Sequence, residues 1–534
     1  MPGPLIRTDR ALRARYSQGG GIYRLIPAAV ARPTTAAELE EVLEGARVRG
    51  LTVTPRGAGS AMDGSNVGNG LVLDLTLYDD DHCLVNAALR RAFASPGIAL
   101  SRVNAAAVPH GLRVAVDPSS AEWATLGGLV STNAAGPRSV RSGSIRRWVH
   151  GVAMRTADGY LDLSRDREPD QQHPVVARWR NDVEPLLQQH AEAIRARFPR
   201  VRKNSAGYAL DHYLASGDLL DIVIGSEGTL GVITDVNVDL EATPAHRSAL
   251  RVAIRTRQDL GPMIAMIRAH DPATLEFLDA SFLRLIAPGL LTPEHPELLH
   301  QAAGLLLADF EGEDAGEMID RAIAAAGAAQ VTALDVRLAR DAGEIENLWS
   351  IRHRASPILA SLTGGRRSLQ VIEDGCVPVA RLGEYLDAID AVARGQEIDV
   401  VMFGHAGDGH VHVNLLPNIQ DADWKDRVRA VFRGVSDVVI RLGGTPSGEH
   451  GAGRLRAGLL EPLYGAEVMA CFRAVKRAFD PDGFFNPGVI VGDGGDPLGH
   501  CKVGADAVPL PPGVEEFLQR VESQARWGES RWSV

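Results

Sequence analysis

Three histidines flank an Asp-Gly pair in the run VVMFGHAGDGHVHVNLL. Asp-Gly between two alternating apolar segments is a strong hairpin signal and favours a two-residue type I′ turn. With Asp408-Gly409 at the tip, His405 would face His412, and His410 and Asn414 would share the strand face of His412. Directly opposed residues have Cβ atoms about 4.5–5.5 Å apart, so two imidazoles could bind one cation.

A glutamate and a fourth histidine, Glu449 and His450, follow in the glycine-rich run SGEHGAG. Two histidines and a carboxylate leave coordination positions open, which is typical of a catalytic rather than a structural metal site. A hydroxy acid could then chelate the ion through its hydroxyl and carboxylate. Zinc suits these ligands and has no redox chemistry, while manganese or iron would also be accommodated. The alternative is a polar strand face whose histidines bond only to their neighbours.

A glycine-rich loop, RGAGSAMDGSNVG, begins at Arg56 after a predicted strand over residues 51–54. Successive glycines let backbone N–H groups converge on phosphate oxygens, because no Cβ blocks the approach. Met62 breaks the GxGxxG spacing of dinucleotide-binding turns, and the P-loop lysine is absent. The sequence therefore leaves a plain turn open as the alternative to a phosphate site.

Three later segments, VDPSS, ATLGG and TNAAG, supply small residues, hydroxyls and an amide against which a flat ligand could lie. They belong to the polar stretch 117–143, which is too long for a plain connection. Long loops inside a compact domain usually hold a ligand, so we predict a ligand-binding loop here.

The elements that must position these residues change character near Pro244. Before it, the sequence predicts a Thr-capped amphipathic helix ending at Gly50, then a short strand and the glycine turn, which indicates α/β order. A helix-rich stretch is expected after Asp74, and residues 224–240 are predicted to form a turn and a strand. After it, ALRVAIR, ATLEFLDA and GLLLADFEG alternate with helical patterns, which predicts an antiparallel sheet with helices on one face. Residues 449–491 are predicted to be helical, with a turn at FDPDGFFNPG.

The bulk composition narrows the class of protein. A chain of 534 residues exceeds the size of one hydrophobic core, so two or more units are expected. The formal charge of −11, with both signs mixed, argues against a nucleic-acid-binding surface. The four cysteines form no CxxC pair, so neither an iron–sulfur cluster nor a zinc ribbon is expected. The sequence has no signal-peptide core and no transmembrane-length apolar run, which predicts a cytoplasmic location.

The motifs PRGAGS, DPSS, ATLGGLVSTNAAG, SEGTLGVIT and FDPDGFFNPG occur in the order of the vanillyl-alcohol oxidase type flavoproteins. Over about residues 20–492 the chain resembles the D-lactate, glycolate and D-2-hydroxyglutarate dehydrogenases of that group. The resemblance implies an α+β fold, with a two-part FAD-binding domain, an antiparallel-sheet cap domain and a C-terminal helical segment that returns to the flavin. We accordingly divide the chain into residues 1–243, 244–440 and 441–493, followed by a tail over 494–534.

The resemblance also implies FAD, held non-covalently. Members that attach FAD covalently often place a histidine in the first glycine loop, where Ser60 and Ala61 stand here. One departure is Arg141-Ser142-Gly143, where the group has Arg-Tyr-Gly. The residues expected to contact FAD are Arg56, Gly57, Ala58, Gly59, Ser60, Pro118, Ser119, Gly127, Gly128, Asn133, Gly136, Glu227, Gly228 and Asn486.

By the same resemblance, the GHxGDGNxH and GEHG motifs make His405, His412 and Glu449 the metal ligands and His450 the base. His410 stands where the group has asparagine. Its role, as a substrate contact, a metal ligand or a packing residue, is left open at this stage.

The substrate side is predicted from the tryptophan-containing helix LWSIRHR. Arg352 is the expected carboxylate-binding residue, because a guanidinium matches a carboxylate bidentately, with a solvated helix face as the alternative. Asn414 completes the candidate catalytic residues. D-2-Hydroxyglutarate enzymes also use a lysine near the next strand, and residues 369–374 contain none, which weakens a dicarboxylate substrate.

The implied activity is oxidation of a D-2-hydroxy acid, D-lactate or D-2-hydroxyglutarate, to the 2-oxo acid, with hydride transfer to flavin N5. The alternatives are a non-catalytic flavin-binding subunit of a larger complex and an alkyl-transferring enzyme of the ether-lipid synthase type. A flavin-free metallohydrolase would leave the first 240 residues unexplained.

The tail carries Trp527 and Trp532 in an otherwise polar sequence. Longer relatives have a cysteine-rich iron–sulfur module near this point. We therefore expect a separate electron-accepting protein, either an iron–sulfur protein or an electron-transfer flavoprotein, to dock on the two tryptophans. Through such a partner the protein could also be attached peripherally to a membrane. The alternative is a tail that packs on its own domain.

Overall fold

The computed structural model of the protein describes residues 5–79, 82–285, 301–330, 332–353, 365–492 and 494–532. Over these ranges the chain has an α+β fold with antiparallel sheets, as predicted. The first unit, up to residue 242, has a small mixed sheet and a larger antiparallel sheet, and the second unit has one seven-stranded sheet. No helix in the described ranges combines the length and apolar character needed to cross a membrane.

The strands of the first unit are β1 Ile6–Arg7, β2 Ala29–Ala31, β3 Val53–Arg56, β4 Leu71–Asp74, β5 Cys83–Asn86, β6 Arg91–Ala94, β7 Leu112–Arg113, β8 Val149–Thr156, β9 Gly159–Ser164, β10 Val232–Asp239 and β11 Glu241–Ala242. The small sheet has the order β1-β2-β4-β3, and β3 pairs in parallel with β4. The larger sheet has the order β5-β6-β10-β8-β9, and β7 pairs with β11. The glycine loop thus starts at the end of a buried parallel strand, β3.

The helices of the first unit are α1 Arg10–Arg15, α2 Ala36–Val48, α3 Leu100–Ala107, α4 Leu126–Thr132, α5 Ser139–Ser142, α6 Pro174–Arg178, α7 Glu184–Gln189, α8 Ala191–Arg197, α9 Leu210–Ser216 and α10 Leu220–Val223. Thr35 caps α2, as predicted, by accepting a hydrogen bond from the Glu38 N–H at 3.2 Å.

Two sequence expectations for the first unit are wrong. The region after Asp74, expected to be helix-rich, forms β5 and β6 before α3 begins. The segment 117–143, expected to be one long loop, contains α4 and α5. Thr125 explains the first of these helices, because its side chain accepts from the Gly128 N–H at 3.3 Å and so caps α4.

The strands of the second unit are β12 His246–Ile254, β13 Thr274–Asp279, β14 Gly304–Gly312, β15 Asp335–Ala339, β16 Gly375–Cys376, β17 Asp399–Gly404 and β18 His410–Leu416. They form one sheet of order β15-β12-β14-β13-β17-β18-β16, in which every pairing is antiparallel. The histidine-rich strand β18 therefore lies one strand from the edge of this sheet.

The later helices are α11 Leu260–Arg268, α12 Ala280–Leu285, α13 Ala315–Ala329, α14 Ala342–His353, α15 Leu382–Arg394, α16 Trp424–Arg441, α17 Leu460–Phe479 and α18 Val514–Ser523. One face of the sheet packs against α11, α13, α15 and α16. The opposite face packs against α12 and α14, so the prediction of helices on one face only is wrong. Apolar side chains of the strands lie on both faces of the sheet, and Leu278 and Leu305 are among those on the second face. Helices must therefore shield both faces from water.

The helix predicted within residues 449–491 is α17, and the predicted turn follows it, but α17 begins only at Leu460, so the prediction of a helix from residue 449 is wrong. The segment before it approaches the first unit too closely to be helical. Gly451 and Gly453 have φ of +95° and +55°, and a Cβ on Gly451 would lie 2.7 Å from Glu227 Oε1. These glycines bring the Glu449-His450 pair against the first unit.

The tail packs on its own chain. Helix α18 buries Val514, Phe517, Leu518 and Val521 in a cluster with Ala14 of α1. The ring of Trp532 lies beneath the guanidinium groups of Arg7 and Arg32, 5.3 and 4.7 Å from its centroid. The described part of the tail therefore has the arrangement that the alternative interpretation predicted.

Candidate functional site

A cavity of about 930 Å³ lies between the two units, within the range usual for ligand sites. The first unit contributes the glycine loop and α4. The second unit contributes β18 and the Glu449-His450 segment, and the tail contributes part of one wall. Of the predicted cofactor contacts, the structure places these on the cavity wall: Arg56, Gly57, Ala58, Gly59, Ser60, Pro118, Ser119, Gly127, Gly128, Gly136, Glu227 and Gly228.

The glycine loop is supported from behind by a buried arginine. Arg56 donates to the carbonyl oxygens of Gln18 and Asn66 at 2.8 and 3.1 Å. Burial lowers its pKa to about 9. The side chain of Arg56 therefore holds the loop in place. Arg56, for which the resemblance implies a cofactor contact, also lines the cavity. Gly57 lies so close to Thr125 Oγ1 that any side chain at position 57 would collide with it.

Two of the predicted cofactor contacts, Asn486 and Glu227, join loops together. Asn486 Nδ2 donates to the carbonyl oxygens of Ser65 and Glu227, each at 2.8 Å. The Glu227 carboxylate accepts from the backbone N–H groups of Ala452 and Gly453 at 2.8 and 2.7 Å. Asn486 is fully buried, and neither it nor Asn133 contributes to the cavity wall in the described structure.

The histidine hairpin has a longer turn than predicted. Phe403 pairs with His412 in the register, and residues Ala406–Asp408 form a turn of 3-10 helix before Gly409 at φ +74°. The predicted two-residue turn with His405 opposite His412 is therefore wrong. The cause is tertiary, because the buried Asp408 carboxylate accepts from Ser139 Oγ at 2.6 Å and Arg202 Nε at 2.8 Å.

The imidazoles of this hairpin nevertheless converge. His405 Nε2 lies 3.3 Å from His412 Nε2 and 3.3 Å from Glu449 Oε1. His410 joins them, so that ligand atoms of His405, His410, His412 and Glu449 all lie within 4.8 Å of one another. The structure brings the three predicted metal ligands together and adds a fourth residue that the sequence left open.

Each imidazole of the cluster is held at one nitrogen by a group outside it. His405 Nδ1 bonds the Glu276 carboxylate, and His412 Nδ1 lies 3.0 Å from the Glu373 carbonyl oxygen. His410 Nε2 lies 2.9 Å from the carboxylate oxygen Oδ1 of Asp374. Outer partners of this kind orient metal-binding imidazoles, so this donor set fits a cation.

The charges around the cluster agree with that fit. Burial alone would lower the pKa of His405, but the Glu276 and Glu449 carboxylates outweigh it and raise the pKa to about 9. Burial would raise the pKa of Glu449, but His405 and the buried Lys203 ammonium hold it well below its usual range. The Glu449 carboxylate is therefore held in its ionised form.

The predicted base, His450, faces the cavity beside the cluster. Its ring stacks on that of His412 with centroids 5.4 Å apart and planes at 15°. His450 Nδ1 lies 3.2 Å from Glu373 Oε1, and its backbone N–H donates to Asp374 Oδ2 at 2.8 Å. Burial lowers the pKa of His450, but Asp374 and Glu373 outweigh burial and raise it to about 9.

The other two catalytic candidates also line the cavity. Arg352 donates from Nε to Glu276 Oε2 at 3.1 Å, and its guanidinium lies 4.6 Å from the centroid of the Phe403 ring. Asn414 Oδ1 accepts from Ser368 Oγ at 3.0 Å. Asn414 Nδ2 is buried and has no hydrogen-bond partner in the described ranges, which leaves a donor for a ligand.

One hydrogen bond joins the predicted cofactor segment directly to the histidine cluster. The backbone N–H of Gly136, from the predicted cofactor segment, donates to Glu449 Oε1 at 3.0 Å. Gly136 has φ of +134°, and a Cβ there would lie 2.6 Å from the carbonyl carbon of Asp117. The segment that is predicted to bind the cofactor therefore directly contacts a member of the histidine cluster.

Comparison with known families matches two domain models to this chain. The FAD binding domain matches residues 27–163, and the C-terminal domain of the FAD linked oxidases matches residues 243–490. Together they account for well over half of the chain. The chain belongs to the FAD-linked oxidase family.

Relatives of this FAD-linked oxidase include the D-2-hydroxyglutarate dehydrogenase of Escherichia coli (strain K12), 27% identical over 515 residues, 90% of this chain and 50% of the relative. The glycolate oxidase subunit GlcD of Bacillus subtilis (strain 168) is 29% identical and covers 87% and 89% of the two chains. The D-lactate dehydrogenase of Archaeoglobus fulgidus is 28% identical and covers 86% and 91%. The chain spans about half the length of the D-2-hydroxyglutarate dehydrogenases that it matches.

Solved structures show the same fold at low identity. An alkyldihydroxyacetonephosphate synthase has a TM-score of 0.62 at 15% identity and covers 90% of this chain and 82% of its own. The p-cresol methylhydroxylase with substrate bound has a TM-score of 0.65 at 13% identity and covers 92% and 94%. These likenesses confirm the predicted flavoprotein fold.

Sequence reasoning missed several site residues of this FAD-linked oxidase. Glu276 bridges His405 and Arg352 from the middle of β13, and Lys203 bonds the Glu449 carboxylate. Arg367 lines the cavity and is exposed, and it lies two residues before the segment 369–374, which contains no lysine. Glu276 had a usable signal, since a carboxylate between the apolar residues of TLEFL, in the middle of a buried strand, requires a buried partner.

Proposed function

We propose that this FAD-linked oxidase is a D-2-hydroxy-acid dehydrogenase that holds FAD non-covalently and uses one divalent metal ion. The observation that carries the proposal is the shared cavity, in which the glycine loop, Arg352 and the His405, His412 and Glu449 cluster are all exposed to one space. The Gly136–Glu449 hydrogen bond ties the cofactor segment to the cluster. FAD, when bound, supplies the acceptor for the hydrogen that leaves the α-carbon as hydride.

The proposed roles of the chain's own residues follow from charge. His405, His412 and Glu449 would hold the ion, which acidifies a hydroxyl bound to it, as cations do for water. His450 would then accept the hydroxyl proton. Its Nδ1 is tied to Glu373, which leaves Nε2 as the ring atom for the substrate. A cation beside His450 also opposes protonation of that ring and so favours the basic form.

The substrate carboxylate would bind Arg352, whose guanidinium is oriented by Glu276 and Phe403. Arg367 gives the same cavity a second guanidinium. Two cationic groups support a dicarboxylate such as D-2-hydroxyglutarate as well as D-lactate, although the lysine expected for a dicarboxylate substrate is absent from residues 369–374.

Non-covalent binding of FAD is supported by the chemistry of the cavity wall. Histidine, cysteine and tyrosine are common attachment points for flavins, and the described wall contains no cysteine or tyrosine. Its histidines, His405, His412 and His450, all belong to the cluster or stack on it. Flavin released with the supernatant on acid precipitation is the expected result.

The rival interpretations find less support. A non-catalytic flavin-binding subunit does not need the converging imidazoles and the buried carboxylates behind them. The likeness to alkyldihydroxyacetonephosphate synthase concerns the fold alone. A flavin-free hydrolase does not account for the FAD binding domain.

The substrate class can be tested by flavin reduction. Anaerobic addition of D-2-hydroxyglutarate or D-lactate to the yellow protein should bleach the flavin, since the proposed half-reaction needs no other partner. D-malate, glycolate and the L-enantiomers serve as comparisons, and absorbance near the oxidised flavin maximum is the readout. If dithionite reduces the flavin but none of the hydroxy acids does, the proposed activity is wrong.

We also propose that electrons leave the flavin for a separate protein, an iron–sulfur protein or an electron-transfer flavoprotein. The four cysteines form no disulfide bond. Cys376, Cys471 and Cys501 are buried, and Cys83 is partly exposed. The tail is not needed as a docking arm for this proposal, because its tryptophans contact the chain's own residues.

The tail is instead expected to support FAD binding through Arg531. This guanidinium is 5% exposed and donates from Nη1 to the Ala58 carbonyl oxygen at 3.1 Å. Arg56 lies close enough for the two charges to repel, so two cations stand behind the glycine loop, where they favour an anionic ligand in front of it. Replacing Arg531 by methionine should weaken FAD binding about tenfold, since hydrogen bonds of charged groups contribute about 1.5–3 kcal/mol.

The FAD dissociation constant of the Arg531→Met protein, measured by titrating the deflavinated protein, checks this. Arg526→Met is the matched control, because Arg526 lies in the same tail with its side chain 57% exposed. Equal affinities in both variants would show that the tail does not order the loop.

A further inference from the structure

The sequence left His410 with three possible roles, and its surroundings separate them. His410 is fully buried, and its Nε2 lies 2.9 Å from Asp374 Oδ1. Its Nδ1 lies 3.9 Å from Glu449 Oε1, beyond hydrogen-bonding distance. Within the described residues this buried nitrogen has no hydrogen-bond partner.

An orphaned buried nitrogen needs an explanation, since leaving one unsatisfied costs about 1–3 kcal/mol. A carboxylate only accepts hydrogen bonds, so the Asp374 contact places the proton of a neutral imidazole on Nε2. The lone pair then lies on Nδ1, on the side of the other imidazoles. The ring is oriented as a ligand and lacks only the group that it would bind.

The other two roles fit less well. A substrate contact would require access to the cavity, yet His405, His412, Glu449 and His450 line it and His410 does not. A packing role would not require a nitrogen at the Nδ1 position. Close packing does fix the ring, because a Cβ on Gly448 would lie 2.9 Å from His410 Cδ2.

The same arrangement recurs in all three imidazoles. Each has one nitrogen held by an acceptor outside the cluster, and the rings of His405, His410 and His412 lie with centroids 4.7–5.4 Å apart. The carboxylate–histidine–metal arrangement is the usual way in which proteins orient metal-binding imidazoles. His405 and His410 both have a carboxylate in that position.

We propose that His410 is a third imidazole ligand, so that the ion proposed above has three histidine nitrogens and one glutamate oxygen from this chain. The proposal rests on the proposed function for the presence of the ion. It changes the expected metal. A tetrahedral zinc ion with four protein ligands is closed, as in structural sites, and leaves no position for a hydroxy acid. An ion that takes six ligands, such as Mn²⁺ or Fe²⁺, leaves two positions for the substrate hydroxyl and carboxylate.

The test uses Mn²⁺ alone as the probe, added to the FAD-loaded protein after chelation. The variant His410→Gln keeps an amide donor near the position of Nε2, for Asp374, and removes Nδ1. His150→Gln is the control, since His150 lies in β8 and outside the cluster. Pulsed electron paramagnetic resonance counts the imidazole nitrogens on Mn²⁺, and a titration gives its dissociation constant.

The expected result is three imidazoles in the original protein and in His150→Gln, and two in His410→Gln, with Mn²⁺ binding weakened at least tenfold. Loss of an outer partner alone costs about 10–100-fold in affinity, and loss of a ligand should cost no less. Retained flavin absorbance shows that the variant is folded, and His410→Asn provides a second variant if it is not. Two imidazoles in the original protein, or an unchanged dissociation constant in both variants, would overturn the assignment of His410 while leaving the metal-assisted function intact. No Mn²⁺ binding, and no Zn²⁺ or Fe²⁺ binding, in the original protein would instead overturn the metal itself.

Discussion

His405→Ala and His412→Ala are expected to abolish turnover and metal binding while FAD stays bound. His405 Nε2 lies 3.3 Å from both His412 Nε2 and Glu449 Oε1, so removing either ring removes the centre of the proposed site. Metal polarisation of a substrate oxygen contributes several kcal/mol, and a loss of about 4 kcal/mol corresponds to about a thousandfold in rate. The measurements are turnover with an artificial dye, elemental analysis of the purified protein and the flavin absorbance.

FAD should be retained because the residues that hold the glycine loop and those of the proposed metal site are different. The glycine loop is held by Arg56, Thr125 and Arg531, none of which belongs to the histidine cluster. His110→Ala, on the surface turn before β7, is a control that should keep the metal, the flavin and the rate. An active preparation of either cluster variant, or an active original protein without stoichiometric metal, would contradict the metal-assisted chemistry.

The local features of the fold could be predicted because their causes lie within a few residues. Thr35 caps α2 through a side-chain bond to Glu38, three residues away, and the apolar patterns of β12 and β14 each specify one strand. The glycine loop after β3 could likewise be predicted from its own residue types, since a run of glycines permits a close backbone approach.

The turn of the histidine hairpin could not be predicted, because its cause is distant in sequence. Asp-Gly alone favours a two-residue turn. Here the Asp408 carboxylate is drawn into contacts with Ser139 and Arg202, more than 200 residues away, which outweigh the local preference. The register changes accordingly, so that Phe403 rather than His405 pairs with His412.

The outer partners of the imidazoles lay beyond sequence reasoning for the same reason. Glu276 reaches His405 across 129 residues, and Asp374 reaches His410 across 36. The motif identifies the histidines, but the choice between a ligand and a packing residue depends on which nitrogen is already occupied. That information exists only in the folded chain.

His450→Asn is expected to retain both metal and flavin and to lose about 10²–10⁴-fold in rate, the usual effect of removing a general base. An asparagine can keep a donor near the position of Nδ1, where His450 contacts Glu373 at 3.2 Å, and it removes Nε2, the atom proposed to take the hydroxyl proton. The variant therefore tests proton removal without opening the charged network of Glu373, Asp374 and Arg456.

The expected loss can be assigned to the proton rather than to general damage by following flavin reduction under single turnover. Added imidazole should restore part of the rate of His450→Asn, because a free base can occupy the space left beside His412, where the two rings stack 5.4 Å apart. The same addition should not help His412→Ala, which lacks a proposed ligand. His500→Asn, at an exposed position, is the control for the substitution itself. Full activity of His450→Asn without imidazole would mean that another group takes the proton, and rescue of both variants alike would mean that the added base acts on the metal site.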